Sequence, residues 1–315
     1  MSHPLNRRAF VGSLAAGAVW ATNHCTFANT VEKYQPIGLG FSLYGLPKMP
    51  LEEALTLCSK TGYNSVELAL MPGLSGDPLA LDTARRVRVR EQLVDERLVL
   101  AGVMENLPVT ADAGKHAEQL ERLKRASELS HQLSPQSPAP LETIVGGKPG
   151  EWETFKTLLV DRLGSWAKVA EAEKLIVCVK PHAAGAMNRP EDAVWLMQQL
   201  NTPWIRLVYD FSHYEHRGYD ISETVKSLIE YCPFVHVKDR AADTSRLQFL
   251  LPGDGKLDYT PLLRSLSARY AGEIVVEVSA QLHGKPDYDG RAAVEKCYQF
   301  LARACETAGV PRRKR

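Results

Sequence analysis

The sequence predicts a single-domain α/β protein, eight parallel strands alternating with eight helices and closed into a (β/α)8 TIM barrel. Three observations carry this. Short apolar runs alternate with longer amphipathic stretches along nearly the whole chain. The runs start about 27 to 44 residues apart, the interval that one strand, one helix and two loops fill. There are eight such units, the number that closes a parallel sheet on itself.

The first strand is predicted over 37–43 and the first helix over 51–61. Pro50 opens that helix, where a missing N–H does no harm, and Gly62 ends it in the expected left-handed position. Strand 65–71 and helix 81–96 follow, then strand 98–104 and helix 116–129. The Ser/Pro-rich stretch 134–140 reads as a loop into strand 141–145, which leads to helix 152–173. Strand 175–180 precedes helix 191–200, opened by Pro190. Strand 205–210 pairs with helix 221–231, strand 234–238 with helix 258–269 capped by Asp258, and strand 273–278 with helix 290–308. An open doubly wound sheet would place a Gly-rich turn after an early strand. Gly38 and Gly40 lie inside the first strand instead.

The bulk numbers fit one large domain: 315 residues, 44% hydrophobic. A net charge of +1 gives no field for nucleic acid or an anionic membrane. The six cysteines, Cys25, Cys58, Cys178, Cys232, Cys297 and Cys305, show neither C-x-x-C nor zinc-finger spacing and read mostly as small core residues. Asn6-Arg7-Arg8-Ala9-Phe10-Val11 precedes a mildly apolar stretch 12–21 and resembles a twin-arginine export signal. The expected organisation is therefore a signal or disordered N-terminus over 1–30, the barrel over 31–310 and a solvated basic tail over 311–315. The expected location is periplasmic or otherwise extracytoplasmic, with no membrane contact once the signal is removed.

Chemistry in such barrels sits at the C-terminal strand ends. Side chains alternate along a strand. Val179, Leu207, Tyr209, Val235, Val237, Ile274 and Val276 face the helices, so Lys180, Asp210, His236, Lys238 and Glu277 face the axis. Burying polar groups there without use costs several kcal/mol. Carboxylate, imidazole and carboxylate from Asp210, His236 and Glu277 suit Mn, Mg, Co or Zn as a divalent ion.

Several segments resemble the xylose-isomerase-like family of sugar phosphate isomerases and epimerases. They are Gly62-Tyr63…Val66-Glu67-Leu68, Pro181-His182, Asp210…His213, His236-Val237-Lys238-Asp239, Gly253-Asp254-Gly255-Lys256-Leu257-Asp258 and Val276-Glu277. The resemblance spans about residues 37 to 308. It implies a sugar or polyol isomerase/epimerase that moves a proton next to a carbonyl. It makes Asp210, His236 and Glu277 the metal ligands, Glu277 an acid/base residue, and His213 and Arg240 contacts to substrate oxygens. Lys238, Glu67 and Glu105 complete the expected substrate-binding set. In the family a Glu precedes the Pro-His step on strand 5; here Lys180 stands there. The swap moves the site by two charge units toward positive, so any divalent metal is expected to bind weakly. Lys180 or His182 then becomes the second acid/base residue beside Glu277, and Glu277 is expected to matter more to activity than to folding.

Two other functions compete: a Schiff-base lyase or aldolase built on Lys180, and a sugar-binding relative without turnover. A three-zinc apurinic endonuclease on this fold is a further alternative, and the near-neutral charge and Lys180 speak against it. The expected partner is a small sugar or sugar-derived molecule, with no nucleic acid; oligomerisation stays open. The Gly253–Gly255 loop reads either as a phosphate cradle or as a plain turn.

Overall fold

The computed structural model describes residues 34–241 and 247–315. The expected export signal and Cys25 lie outside the described residues. The strands are β1 (Gly38–Ser42), β2 (Ser65–Ala69), β3 (Val99–Asn106), β4 (Leu141–Ile144), β5 (Val177–Lys180), β6 (Ile205–Asp210), β7 (Phe234–Val237), the two-residue β8 (Asp239–Arg240) and β9 (Phe249–Leu250), and β10 (Glu273–Val276). β1 to β7 and β10 pair in parallel and close into a barrel, with β10 between β7 and β1. β8 and β9 form a small antiparallel hairpin above it. Each predicted barrel strand overlaps an observed one.

The helices are α1 (Leu51–Thr61), α2 (Thr83–Asp95), α3 (Ala113–Leu133), α4 (Trp152–Glu173), α5 (Pro190–Leu200), the four-residue α6 (Ser212–Glu215), α7 (Ile221–Leu228), α8 (Tyr259–Ser267), the four-residue α9 (Ala280–His283) and α10 (Gly290–Ala308). Their ends follow local chemistry. Pro190 is the first residue of α5, and Gly62 ends α1 at φ 114°. Asp258 accepts the Thr260 N–H at 2.8 Å, and Asp82, Asp112, Asp220 and Asp289 cap their helices the same way. Among the described residues no helix is long and apolar enough to cross a membrane.

Two apolar layers hold the barrel. Outward strand residues and inward helix faces merge into one continuous core. Inside the barrel, Ala101, Cys178, Val208, Phe234 and Val275 form a small plug. Toward the N-terminal end the interior is tight: a Cβ on Gly38 would come 2.1 Å from the Glu273 carboxylate.

The basic tail is pinned to the barrel, while Pro311, Lys314 and Arg315 stay exposed. Ile37 donates its N–H to Pro311 O at 3.1 Å and accepts from the Arg313 N–H at 2.8 Å. Arg313 ion-pairs with the buried Glu273, and Arg312 donates to the Tyr298 hydroxyl at 3.2 Å. The tail satisfies backbone groups of Ile37 just before β1 and neutralises a carboxylate there.

Candidate functional site

Outward positions on β4, β5, β6, β7 and β10 are apolar and sink into the helix layer: Leu141, Val179, Leu207, Tyr209, Val235, Val237, Ile274 and Val276. The residues between them near the strand ends point at the axis: Glu142, Lys180, Asp210 and His236. Glu277 follows β10, and its N–H donates to Val237 O at 3.1 Å, which carries the pairing one residue further and fixes its direction.

These side chains form one network. Lys180 Nζ lies 2.9 Å from Glu142 Oε1, 2.8 Å from Glu277 Oε2 and 2.9 Å from His236 Nδ1. The contacts to Glu277 and His236 are hydrogen bonds and the one to Glu142 is an ion pair. Lys238, just past β7, donates to Asp210 Oδ2 at 2.7 Å and also to Glu277 Oε2. Its Nζ stands 4.7 Å from the centre of the Phe249 ring. His236 Nε2 is 3.1 Å from Glu67 Oε2. That contact assigns the proton to Nε2 and leaves Nδ1 to accept from Lys180. Asp210 Oδ1 takes both the backbone N–H and the hydroxyl of Ser212.

Four carboxylates and two ammonium groups thus share a nearly dry floor; Lys180, Lys238 and Glu142 are each 2% exposed. Burial raises the pKa of Glu277, but Lys180 and Lys238 outweigh it and hold the group well below the usual carboxylate range. Asp210 is held down against burial by Lys238 in the same way. Glu142 goes the other way. Burial raises it, Lys180 and His236 offset only part, and Glu67 and Glu277 add to the rise. Burial would lower Lys180, yet Glu142 and Glu277 prevail and keep it above the ordinary lysine value. His182 is pulled down to about 2 by burial, with His213 and both lysines helping. Its Nδ1 accepts the Ala184 N–H at 3.1 Å, so neutral His182 carries its proton on Nε2.

Above the floor is a cavity of about 440 Å³. Glu142, Lys180, Lys238 and Glu277 form its base; Tyr44, Met104, Asn106, His182 and Phe249 are among its walls. Of the residues singled out from the sequence, Lys180, His182, Lys238 and Glu277 line it, and Asp210 and His236 lie directly beneath. Four others are placed differently. Glu67 is fully buried behind His236 and orients that ring. His213 is 1% exposed, with Nδ1 accepting from the Ala183 N–H and Nε2 3.4 Å from Asp210. Glu105 sits at the rim with its carboxylate turned to Arg122 of α3, because its place on β3 faces the helices. Arg240 pairs with Glu215 and donates to Ala241 O. The Gly253–Gly255 loop is a turn rather than a phosphate cradle: both glycine N–H groups donate to the Asp239 carboxylate, at 3.2 and 3.1 Å.

Sequence reasoning missed three residues. Glu142 obeys the alternation rule that exposed the others, since Leu141 and Thr143 flank it. Tyr44 lies in the turn after β1, packed edge-on against His283 at 4.6 Å. Phe249 arrives on the hairpin, which is too short to leave a periodic signal.

Asp210, His236 and Glu277 each offer a ligand atom, all within 4.8 Å of one another. Each of the three residues already accepts from an ammonium: His236 Nδ1 and Glu277 Oε2 from Lys180, Asp210 Oδ2 from Lys238. The residues as arranged do not fit a divalent ion.

The chain is 23% identical over 258 residues to the inosose dehydratase of Geobacillus kaustophilus, covering 72% of this chain and 79% of that protein. Its fold is similar to that of the IolI protein with a binding zinc atom, at a TM-score of 0.70 and 19% identity over 87% of this chain and 98% of that one. It is also similar to the 3-keto-D-glucoside 4-epimerase YcjR of E. coli, at 0.66 and 15% over 86% and 99%. Residues 55–304 match the xylose isomerase-like TIM barrel family, and the chain belongs to that family.

Proposed function

We propose that this protein moves a proton at the carbon beside the carbonyl of a sugar-like, polyhydroxylated ketone. The observation that carries this is the Lys180 ammonium held between two carboxylates of opposite proton affinity, Glu142 and Glu277, at the base of the cavity. Such a split assigns roles. Glu142, pushed up by burial, is the base that takes the proton. Glu277 stays ionised and holds both lysines. The enolate oxygen that forms meets Lys238, which lines the water-poor cavity where a fixed charge acts strongly. His182 Nε2–H and the Tyr44 hydroxyl are donors to the substrate's other oxygens.

Two outcomes share that first step. Return of the proton on the other face, or at the neighbouring carbon, gives an epimer or isomer. Departure of a hydroxyl from the next carbon gives an enone and water. The inosose dehydratase relative supports the second outcome and the epimerase fold neighbour the first. A Schiff base on Lys180 finds no support, since Glu142 and Glu277 hold the group as an ammonium, which has no lone pair to attack with.

The test is proton NMR in D2O with an inosose and a set of ketohexoses. Deuterium entering beside the carbonyl is the expected result, with either an epimer or an absorbing enone as product. Unchanged protons on every hydroxylated ketone would sink the proposal.

A further inference from the structure

We propose that Lys180 is a built-in replacement for a divalent ion, and that the site rejects metal because its ammonium already occupies the seat between His236 and Glu277. The spacing of Asp210, His236 and Glu277 is that of a metal triad, so geometry of the backbone is not what excludes an ion. Occupancy is. Lys180 donates to His236 and Glu277 and ion-pairs with Glu142, and the side chain is 2% exposed, so its charge is held in place. Its third partner, Glu142, is itself 2% exposed and belongs to the same charged floor. An entering ion would meet a full positive charge at hydrogen-bond distance from two of its three ligands.

The compensation is visible. Lys180 and Lys238 together bring two positive charges to Glu277, the charge a divalent ion would bring, spread over two nitrogens. Glu142 balances the added cation from the neighbouring strand. The two lysines then divide the tasks of an ion. Lys180, which donates to both and ion-pairs with Glu142, is a positioning residue that fixes His236 and Glu277. Lys238 lines the cavity, and its third proton meets no nitrogen or oxygen acceptor among the described residues, so it is the cation left to face a ligand. The proposal concerns metal alone and stands apart from the reaction proposed above, because its measurement uses no substrate.

The experiment is elemental analysis of the purified full chain and calorimetric titration with Mn²⁺ of the wild type, Lys180→Glu and Lys180→Gln. The wild type is expected to carry substoichiometric metal and to show no saturable binding below about millimolar Mn²⁺. Lys180→Glu, which removes a repelling charge and adds a ligand, should bind at least about a hundredfold tighter. Lys180→Gln, which only removes the charge, should fall between them. Thermal melts check that each variant is folded, and the Gln variant carries the test if the Glu variant is not. Stoichiometric Mn²⁺ binding by the wild type, or a folded Gln variant that binds no tighter than the wild type, overturns the proposal.

Discussion

Lys180 and Glu142 stand on adjacent strands with Nζ 2.9 Å from Oε1, and both side chains are 2% exposed. The register pairs Lys180 with Ile144, so Glu142 sits two residues deeper and the lysine reaches back toward it. A buried ammonium is tolerated only with carboxylates at hand. Glu142 and Glu277 together are thus what allow a lysine at this position of the barrel floor.

That relationship separates two substitutions. Glu142→Gln keeps an oxygen for Lys180 to donate to and removes the proposed base. The expected loss of proton exchange is about a hundredfold or more, with a modest change in melting temperature. Glu277→Gln differs from what the sequence suggests, a loss of activity without loss of stability. Glu277 is the shared acceptor of Lys180 and Lys238, so the variant leaves two buried cations short of a counter-charge. It should lose about 3 kcal/mol of stability, several degrees in melting temperature, along with its activity. Thermal melts and NMR exchange on both variants check this; equal melting temperatures would contradict it.

The barrel was legible because period-two strands and amphipathic helices repeat at one interval, and each cap residue acts within its own turn. The inward set from β5, β6, β7 and β10 was legible for the same local reason. Glu142 follows that rule too and went unread: in a short strand a lone Glu between Leu141 and Thr143 reads as a surface charge until Lys180 is seen beside it. The wrong placements are cases of distance in sequence. Whether Glu105 meets substrate depends on Arg122, a helix away. The tail's pairing with Ile37 joins the two ends of the described chain, which no window of sequence reports.

We propose that the chain is exported folded, through the paired Arg7-Arg8 and the apolar stretch after them. Replacing both arginines by lysine should leave the uncleaved precursor in the cytoplasm, read by fractionation and immunoblot. Export at the normal level would remove the twin-arginine signal from the account.

Acid should weaken this protein earlier than its carboxylates alone would require. The rings of His182 and His213 lie with centres 4.1 Å apart and planes tilted by 46°, and both have lowered pKa values, chiefly through burial. A histidine kept neutral in the folded chain takes up a proton only on unfolding. Its contribution is complete above about pH 6.5, where the unfolded imidazole is also neutral, and drains as pH falls below that. For His182, with a folded value of about 2, the loss continues through the whole mildly acidic range. Each such group contributes at most about 1.4 kcal/mol per pH unit. Asp210 and Glu277 act lower: their lowered values give stability that is present above about pH 4 and lost beneath it. Glu142 opposes both, since a carboxyl whose pKa rises on folding binds its proton more readily in the folded chain and gains stability as pH falls. Between about pH 6.5 and 5 the histidines should prevail, because five rings with lowered values, His116, His182, His213, His216 and His283, oppose three carboxyls with raised ones, Glu105, Glu142 and Asp239. Urea unfolding of the wild type at a series of pH values should therefore show stability falling across that window. His182→Gln cannot titrate, so its slope should be shallower by up to about 1.4 kcal/mol per pH unit. Parallel slopes for the two proteins would mean that His182 is charged in the folded state, and His182 would then be a proton donor rather than a fixed neutral one.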